Sequence, residues 1–458
     1  MSIPSYFDED AYLFYNPDVA AAIAAGAIPS GYHHWLYHGW KECRAGAPRP
    51  HAIDRRIFVR RFEARPYGVN LFGPLSTPSG LGEAARSSRT ALRASMCPMQ
   101  ETNVAPWGTE SERIPPPVDG RYRINLIHQN MDMIPLFVRA YGEEVLHGAY
   151  NIGFWFWELP AARADWAHYC EYVDEIWVAS EFCRRAFACV TRLSVVTMPV
   201  VVEGLEKLAS YGREHFGLPP STFTFGYIYD VNSYIERKNP VALVEAFRRE
   251  FGDSRDVLLV LKQSDGGGPR NPDATIVERA VAEAANIRVI DAEFSDDEIV
   301  SFQNALDCFV SPHRSEGFGF NLAQSMYLRK PVIATGYSGN VDFMDDRNSY
   351  VLDYRLVTIE QTVGPYIKGA VWADPDTDHL RALLRCVFEN AAERNARGAA
   401  AVQTIRNRFS SEEAHRQMQG RFRDLGLDQP PVRRSLFSQH LPRFAPPDAP
   451  PEVLRHIR

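Results

Sequence analysis

Glu316 lies in the run Ser311 to Met344, SPHRSEGFGFNLAQSMYLRKPVIATGYSGNVDFM, which joins a glycine loop, a helix start and a buried strand. That combination suits a phosphorylated ligand. Gly317 and Gly319 permit close or left-handed backbone approach. The amphipathic stretch from about Asn321 to Leu328 then begins with its unpaired N–H groups facing the loop. Those amides, at the positive end of the helix dipole, favour an anion. Lys330-Pro331 ends the helix, and Val332 to Ala334 reads as a buried parallel strand returning the chain to a sheet. A glycine pair alone marks only a tight turn; the whole segment gives the specificity.

Other candidates stand where strands end. Val69 to Phe72 reads as a strand, and GPLSTPSGLGEAARSSRTAL follows as a glycine loop entering a helix. Gly80 and Gly82 could there bring amides to a phosphate from the far side of a cleft, or serve tight strand-to-helix packing. Further strands are predicted at Ile124 to His128, Asn151 to Trp155 and Glu175 to Ser180, and His128 and Glu158 fall just past strand ends. A carboxylate among aromatics, as Glu158 is, can bond sugar hydroxyls, or it can cap a helix. In the second half Val257 to Leu261 ends at Lys262, and Ile287 to Ile290 ends at Asp291. Lys238 stands just before a helix opened by Pro240. Asp374-Pro375-Asp376 has the look of a cation site, but its setting predicts a helix N-terminus capped by Asp376 or Thr377. His34 and His38 share a helical face without a carboxylate or cysteine at ligand spacing, so no metal is expected.

Glu316, seven intervening residues and Gln324 resemble the donor-site signature of retaining family 4 glycosyltransferases, in which both positions are Glu. In that family the first Glu lies by the donor sugar and the second accepts hydrogen bonds from the ribose hydroxyls. Gln324 keeps an acceptor oxygen and loses the charge. Lys238 resembles the family's phosphate-binding Arg/Lys element. The Arg that many members carry five residues earlier is Ser233 here, and the adjacent Arg237 is the compensating candidate. GFWFWELP followed by VDEIWVAS is similar to one bacterial branch of the family, which places His128 and Glu158 on the acceptor side.

The likeness spans roughly residues 67–425 and implies an α/β chain of GT-B architecture, two Rossmann-like domains facing across a cleft. It implies a retaining hexose transfer from a nucleotide diphosphate sugar, first guess GDP-mannose, to a hydroxyl of a growing surface glycan or glycolipid, such as a polysaccharide or lipopolysaccharide. Glu316 and Lys238 would be the catalytic pair. The amides of Gly317, Phe318, Gly319, Phe320, Asn321 and Leu322, with Arg237, would bind the leaving diphosphate. Gln324 would meet the ribose, and Lys262 and Asp291 would lie on the donor side near the base. No cofactor or metal is implied, since donor sites of this family generally need none, and no side-chain base is required, because the leaving phosphate itself takes the acceptor proton. Two alternatives stay open: a nucleotide-sugar epimerase or phosphorylase on the same fold, and a non-catalytic glycan-binding scaffold.

The chain of 458 residues, 45% hydrophobic, can fill two sizeable cores and an appendage. A net charge of -7 and a pI near 6.0 argue against a general nucleic-acid binder. The cysteines Cys43, Cys97, Cys170, Cys183, Cys189, Cys308 and Cys386 lack CxxC spacing and read as reduced, mostly buried thiols of a cytosolic protein. MSIPSYFDEDAY has neither a basic start nor an apolar core, and no stretch approaches a membrane span, so a cytoplasmic or peripherally attached protein is expected.

The predicted organisation is a small helical module over 1–50, a basic linker over 51–66, and an acceptor domain over 67–218. A donor domain over 219–408, a terminal helix over 409–427 and a Pro/Arg-rich tail over 428–458 complete it. YNPDVAAAIAAG and HHWLYHGWKECR resemble helical modules beside bacterial cell-surface glycosyltransferases. Module, linker and tail are the candidate contacts for a membrane surface or an assembly partner.

Overall fold

The computed structural model describes residues 9, 12–13, 16–34, 65–104, 121–264, 271–282 and 284–428. Two six-stranded parallel sheets dominate it. The first comprises β1 (Val69–Gly73), β2 (Met99–Asn103), β3 (Ile124–Ile127), β4 (Tyr150–Phe154), β5 (Glu175–Val178) and β6 (Ser194–Thr197), in the order β2-β1-β3-β4-β5-β6. The second comprises β7 (Phe223–Asp230), β8 (Val257–Ser264), β9 (Ile287–Asp291), β10 (Cys308–Ser311), β11 (Val332–Thr335) and β12 (Tyr350–Leu352), ordered β12-β11-β10-β7-β8-β9. Their central strands are buried on both faces, as a sheet covered by helices requires, and in the first sheet the apolar runs are crossed by a buried row of asparagines, Asn70, Asn125 and Asn151, bonded side chain to side chain. Strand order reverses between β1 and β3 in one sheet and between β7 and β10 in the other. A crevice opens at the carboxyl ends of each such pair.

The structure extends the predicted strand at Val257 through Lys262 to Ser264, because β8 pairs with β7 in register to that point. It also adds strands that sequence pattern does not reveal. β2 is MQETN, a polar edge strand, and β6 is likewise only half-buried. An antiparallel hairpin of β13 (Tyr354–Thr358) and β14 (Val371–Pro375) projects from the second domain. Asp376 caps the helix Thr377–Glu389, accepting from the Asp378 and His379 amides at 2.9 Å each, as its setting predicts.

The helix Ser411–Asp424 opens on Ser410, whose Oγ accepts from Glu413 N at 3.2 Å, and crosses back to the first domain. There Phe422 stacks on Trp177, and Arg421 pairs with the buried Glu175 of β5, Nε to Oε1 at 3.0 Å. Of the N-terminal module, Pro17–Ala24 and Gly31–His34 are helical, and Tyr12 and Val19 pack on Ala167 of the first domain. His34 Nδ1 lies 2.9 Å from the Tyr12 hydroxyl. His38, the basic stretch at 55–62 and the tail from 429 lie outside the described residues. Among the described residues no helix is long and apolar enough to cross a membrane.

Candidate active site

The second sheet gathers charged residues at its switch point. Beyond β7 a 3-10 turn (Val231–Ser233) leads to Tyr234 at φ 68° and a short helical turn, Ile235–Lys238. Asn239, left-handed at φ 55°, then starts the helix Pro240–Phe251 and donates from Nδ2 to Pro312 O at 3.1 Å. This sharp path brings Arg237 and Lys238 from the end of β7 to the loop that follows β10.

Glu316 is on that loop. Its amide donates to Ser338 Oγ at 2.7 Å, with Ser338 itself at φ 79°. Its carboxylate pairs with Lys238 Nζ, and with Arg237 Nη1 at 3.3 Å. Arg237 is 4% exposed and is fixed by the Ser315 carbonyl at 2.9 Å and the Ser233 carbonyl at 3.2 Å. Burial would raise the Glu316 carboxyl, but Lys238 and Arg237 outweigh it and hold the group down at about 2. The cluster therefore carries two cations and one permanent carboxylate.

Groups that sequence reasoning missed surround it. His313, fully buried, contacts Ser311 Oγ at 3.0 Å and Asn340 Oδ1 at 3.1 Å, and burial lowers its proton affinity. Tyr366, in the connection between β13 and β14, lies beneath the Arg237 guanidinium and donates from its hydroxyl to Glu158 Oε2 at 3.1 Å. The hairpin thus joins Glu158 of the first domain to the cation cluster of the second. His313 stands three residues before Glu316 in the loop motif, a signal that could have found it; nothing local marks Tyr366.

The glycine loop has a more divided role than its pattern predicts. Gly319 is left-handed at φ 95° and precedes the helix Phe320–Tyr327, which starts one residue earlier than the apolar spacing indicates. The amides of Phe320 and Asn321 lie in the first turn, where no carbonyl of the same helix precedes them. Leu322 is corrected: its N–H closes on Gly319 O at 3.1 Å, and its side chain is buried. Phe318 packs against Phe343 and Phe409 in the core. Gly317 abuts the first domain, its carbonyl accepting from Ser180 Oγ at 2.6 Å, while Asp342 accepts from Glu181 N at 2.7 Å. Asn321 reaches the Ile228 carbonyl of β7 from its Nδ2.

Several further positions are settled by packing. Gly82 is the tight-packing glycine of the first loop: a Cβ there would meet Thr77 O at 2.2 Å, and its N–H is taken by Ser79 Oγ at 3.2 Å. It offers no amide to a phosphate. Gly80 faces open space at the start of the helix Gly80–Ala94. His128 is buried: its ring is 0% exposed, stacks on Phe154 and bonds Ser88 Oγ at 3.0 Å, and burial drives its pKa down to about 3. Lys262 is buried over the Phe294 ring, and Asp291 is exposed at the end of β9. Ser233 enters through its carbonyl on Arg237. Gln324 is buried and reaches Glu83 of the first domain.

Residues 224–403 match the family Glycosyl transferases group 1. No curated protein sequence matches the chain. Among solved structures, Anabaena HepE in complex with UDP and glucose is similar at TM-score 0.56 and 11% identity, over 78% of this chain and 100% of that one. Sucrose-phosphate synthase from Thermosynechococcus elongatus gives TM-score 0.56 and 16% identity, over 80% and 100%. A glycosyltransferase from Rickettsia africae gives TM-score 0.53 and 13% identity, over 78% and 98%. At such identities these likenesses speak to fold. The chain has the GT-B fold, and its second domain carries the match to the group 1 glycosyl transferases.

Proposed function

We propose that this protein is a retaining glycosyltransferase that moves a hexose from a nucleotide diphosphate sugar to a hydroxyl of a growing surface glycan or glycolipid. One observation carries the reading. Arg237 and Lys238 from the end of β7 converge with Glu316 from the end of β10, at the crevice where the strand order of the family-matched domain reverses. Arg237 and Lys238 face Glu316 and, through Tyr366, Glu158, so an anion that enters the crevice is bound by exchanging with the Glu316 carboxylate at Lys238.

In this reading the diphosphate competes with Glu316 for Lys238, while Arg237 supplies a fixed guanidinium. Charge on the diphosphate grows as the glycosidic bond loosens, so these donors stabilise the transition state more than the ground state. The amides of Phe320 and Asn321 add the positive end of a helix. Glu316, released from Lys238, is placed to hold the donor sugar. The leaving phosphate takes the acceptor proton, so no side-chain base is assigned and no metal is called on for charge neutralisation. Glu158 lies on the acceptor side, tied through Tyr366 to Arg237.

The test is transfer from a panel of donors, GDP-mannose and UDP-glucose first, with the anomeric configuration of the product read by NMR. Retention with loss of transfer in Lys238→Ala and Glu316→Gln supports the reading. Inversion, or near-normal turnover in either folded variant, rejects it.

A further inference from the structure

Ser180 is 0% exposed at the start of the first-domain helix Glu181–Ala188, and its hydroxyl makes two bonds. It accepts from Cys183 N at 3.2 Å, which caps the helix. It also donates to Gly317 O at 2.6 Å, in the loop of the second domain that carries Glu316. An ionised Asp would cap the helix as well but has no proton to give a carbonyl, and Ala would do neither. A hydroxyl does both at once.

The loop is held from two sides. Within the second domain, Ser338 Oγ accepts from Glu316 N at 2.7 Å and Gly339 N donates to Glu316 O at 2.9 Å. A Cβ at Gly339 would stand 2.2 Å from Gly317 O, so glycine is what lets the two segments approach. The next carbonyl along, that of Gly317, turns to the first domain: among the described residues its partners are Ser180 and the Cys183 thiol, the latter at 3.3 Å. Because a trans peptide unit is planar, fixing this carbonyl also fixes the Phe318 N–H on its opposite side. That N–H has no hydrogen-bond partner among the described residues. Beside it Asp342 takes the Glu181 amide at 2.7 Å and Phe182 meets Tyr337 edge-on, which seats the same helix on the second domain.

We propose that Ser180 is a positioning residue of the reaction: from the first domain, its hydroxyl sets the Gly317–Phe318 peptide and with it the aim of the Glu316 carboxylate at the donor sugar. This rests on the nucleotide-sugar reading above and adds a division of labour. Arg237 and Lys238 belong to the second domain, and the carbonyls that fix Arg237 are those of Ser315 and Ser233. The diphosphate is therefore held by the second domain alone, whereas the reacting sugar is aligned only when the first domain is seated on the loop.

The test is calorimetric titration of the full chain with UDP, GDP, ADP and dTDP, beside release of nucleotide from the corresponding hexose donors. Ser180→Ala and Ser180→Gly both remove the hydroxyl, and glycine costs an N-cap far less than alanine, so their melting temperatures should differ. Both should bind the nucleotide within about twofold of the wild type and lose about tenfold in kcat, the worth of one well-made hydrogen bond. Ser180→Thr, which keeps the hydroxyl, should restore kcat. Rates that follow melting temperature, or equal losses of binding and turnover, make Ser180 a helix cap only and overturn the proposal. A kcat near that of the wild type in folded Ser180→Gly overturns it too. Wild-type binding without turnover of any donor overturns the proposal and leaves a nucleotide site; absence of binding by all four nucleotides overturns it together with the functional reading.

Discussion

Glu316 keeps its charge through the whole working range of pH because its carboxyl is held at about 2 by Lys238 and Arg237. A carboxyl lowered on folding stabilises the fold above its ordinary range and loses that contribution only as pH falls through the lowered value. An acid limb of activity near pH 5 must therefore come from elsewhere. His128 is the opposite sort of group, held neutral by burial at about 3 against 6.5. As pH falls below 6.5 the unfolded chain takes a proton that the folded one refuses, so stability declines progressively toward pH 3. The slope from this one residue approaches about 1.4 kcal/mol per pH unit. The stability of His128→Leu relative to the wild type, read as the difference in urea midpoint, should rise as pH falls from 7.5 to 4.5; a difference that does not change with pH would remove His128 as a source of pH dependence. At this scale Glu316 and Lys238 were marked by their local loop and helix contexts, and Arg237 only by the family likeness; the structure brings the three side chains together. The burial of His128 was not legible, since it depends on Ser88 and Phe154 arriving from other elements.

The β13–β14 hairpin is the element that ties the two domains at the candidate site. Tyr366 stands between Arg237 and Glu158, edge-on to Tyr234 and near Trp157 and Trp372. Tyr366→Phe keeps the ring and removes one bond to a carboxylate, a loss of about 1–3 kcal/mol where the acceptor is left without its partner. Thermal unfolding should register that loss, and transfer should fall more with a glycan acceptor than hydrolysis of the donor alone does. Equal losses would place Tyr366 on the donor side only. The hairpin was invisible in the sequence because the exposed face of β13 shows no buried alternation. The long parallel strands were legible for the converse reason, their apolar runs being bounded by glycine and cap residues. The glycine loop was half legible: the pattern gives the turn at Gly319, but not that Leu322 closes back on it.

At the scale of the whole molecule, the domains touch directly around the cleft, through Ser180 and Gly317, Glu181 and Asp342, and Glu83 and Gln324. The terminal helix Ser411–Asp424 fastens this arrangement from behind. Glu175, 0% exposed, also accepts from Trp177 Nε1 at 2.6 Å, and Arg421 is the cation that balances it. Arg421→Ala leaves that carboxylate buried without its cation and should cost about 3–5 kcal/mol in chemical denaturation, while Glu175→Gln/Arg421→Met should recover much of it. A loss under 1 kcal/mol in the single variant would mean that the crossing helix does not fasten the domains. Alternating strands and helices and a terminal helix were legible from spacing; the two domains facing across a cleft were implied only by the family likeness. The contacts across the cleft were not legible, because they join residues more than a hundred positions apart.

The central claim is that the cluster of Arg237, Lys238 and Glu316 holds a nucleotide diphosphate. Its most direct test is calorimetric titration of wild type and Lys238→Ala with UDP-, GDP-, ADP- and dTDP-sugars. The account predicts saturable binding of one nucleotide class to the wild type and a loss of about 10-fold or more in the folded variant, the scale of one charge-assisted contact. Binding that is indifferent to Lys238, or no binding across the panel, would contradict it.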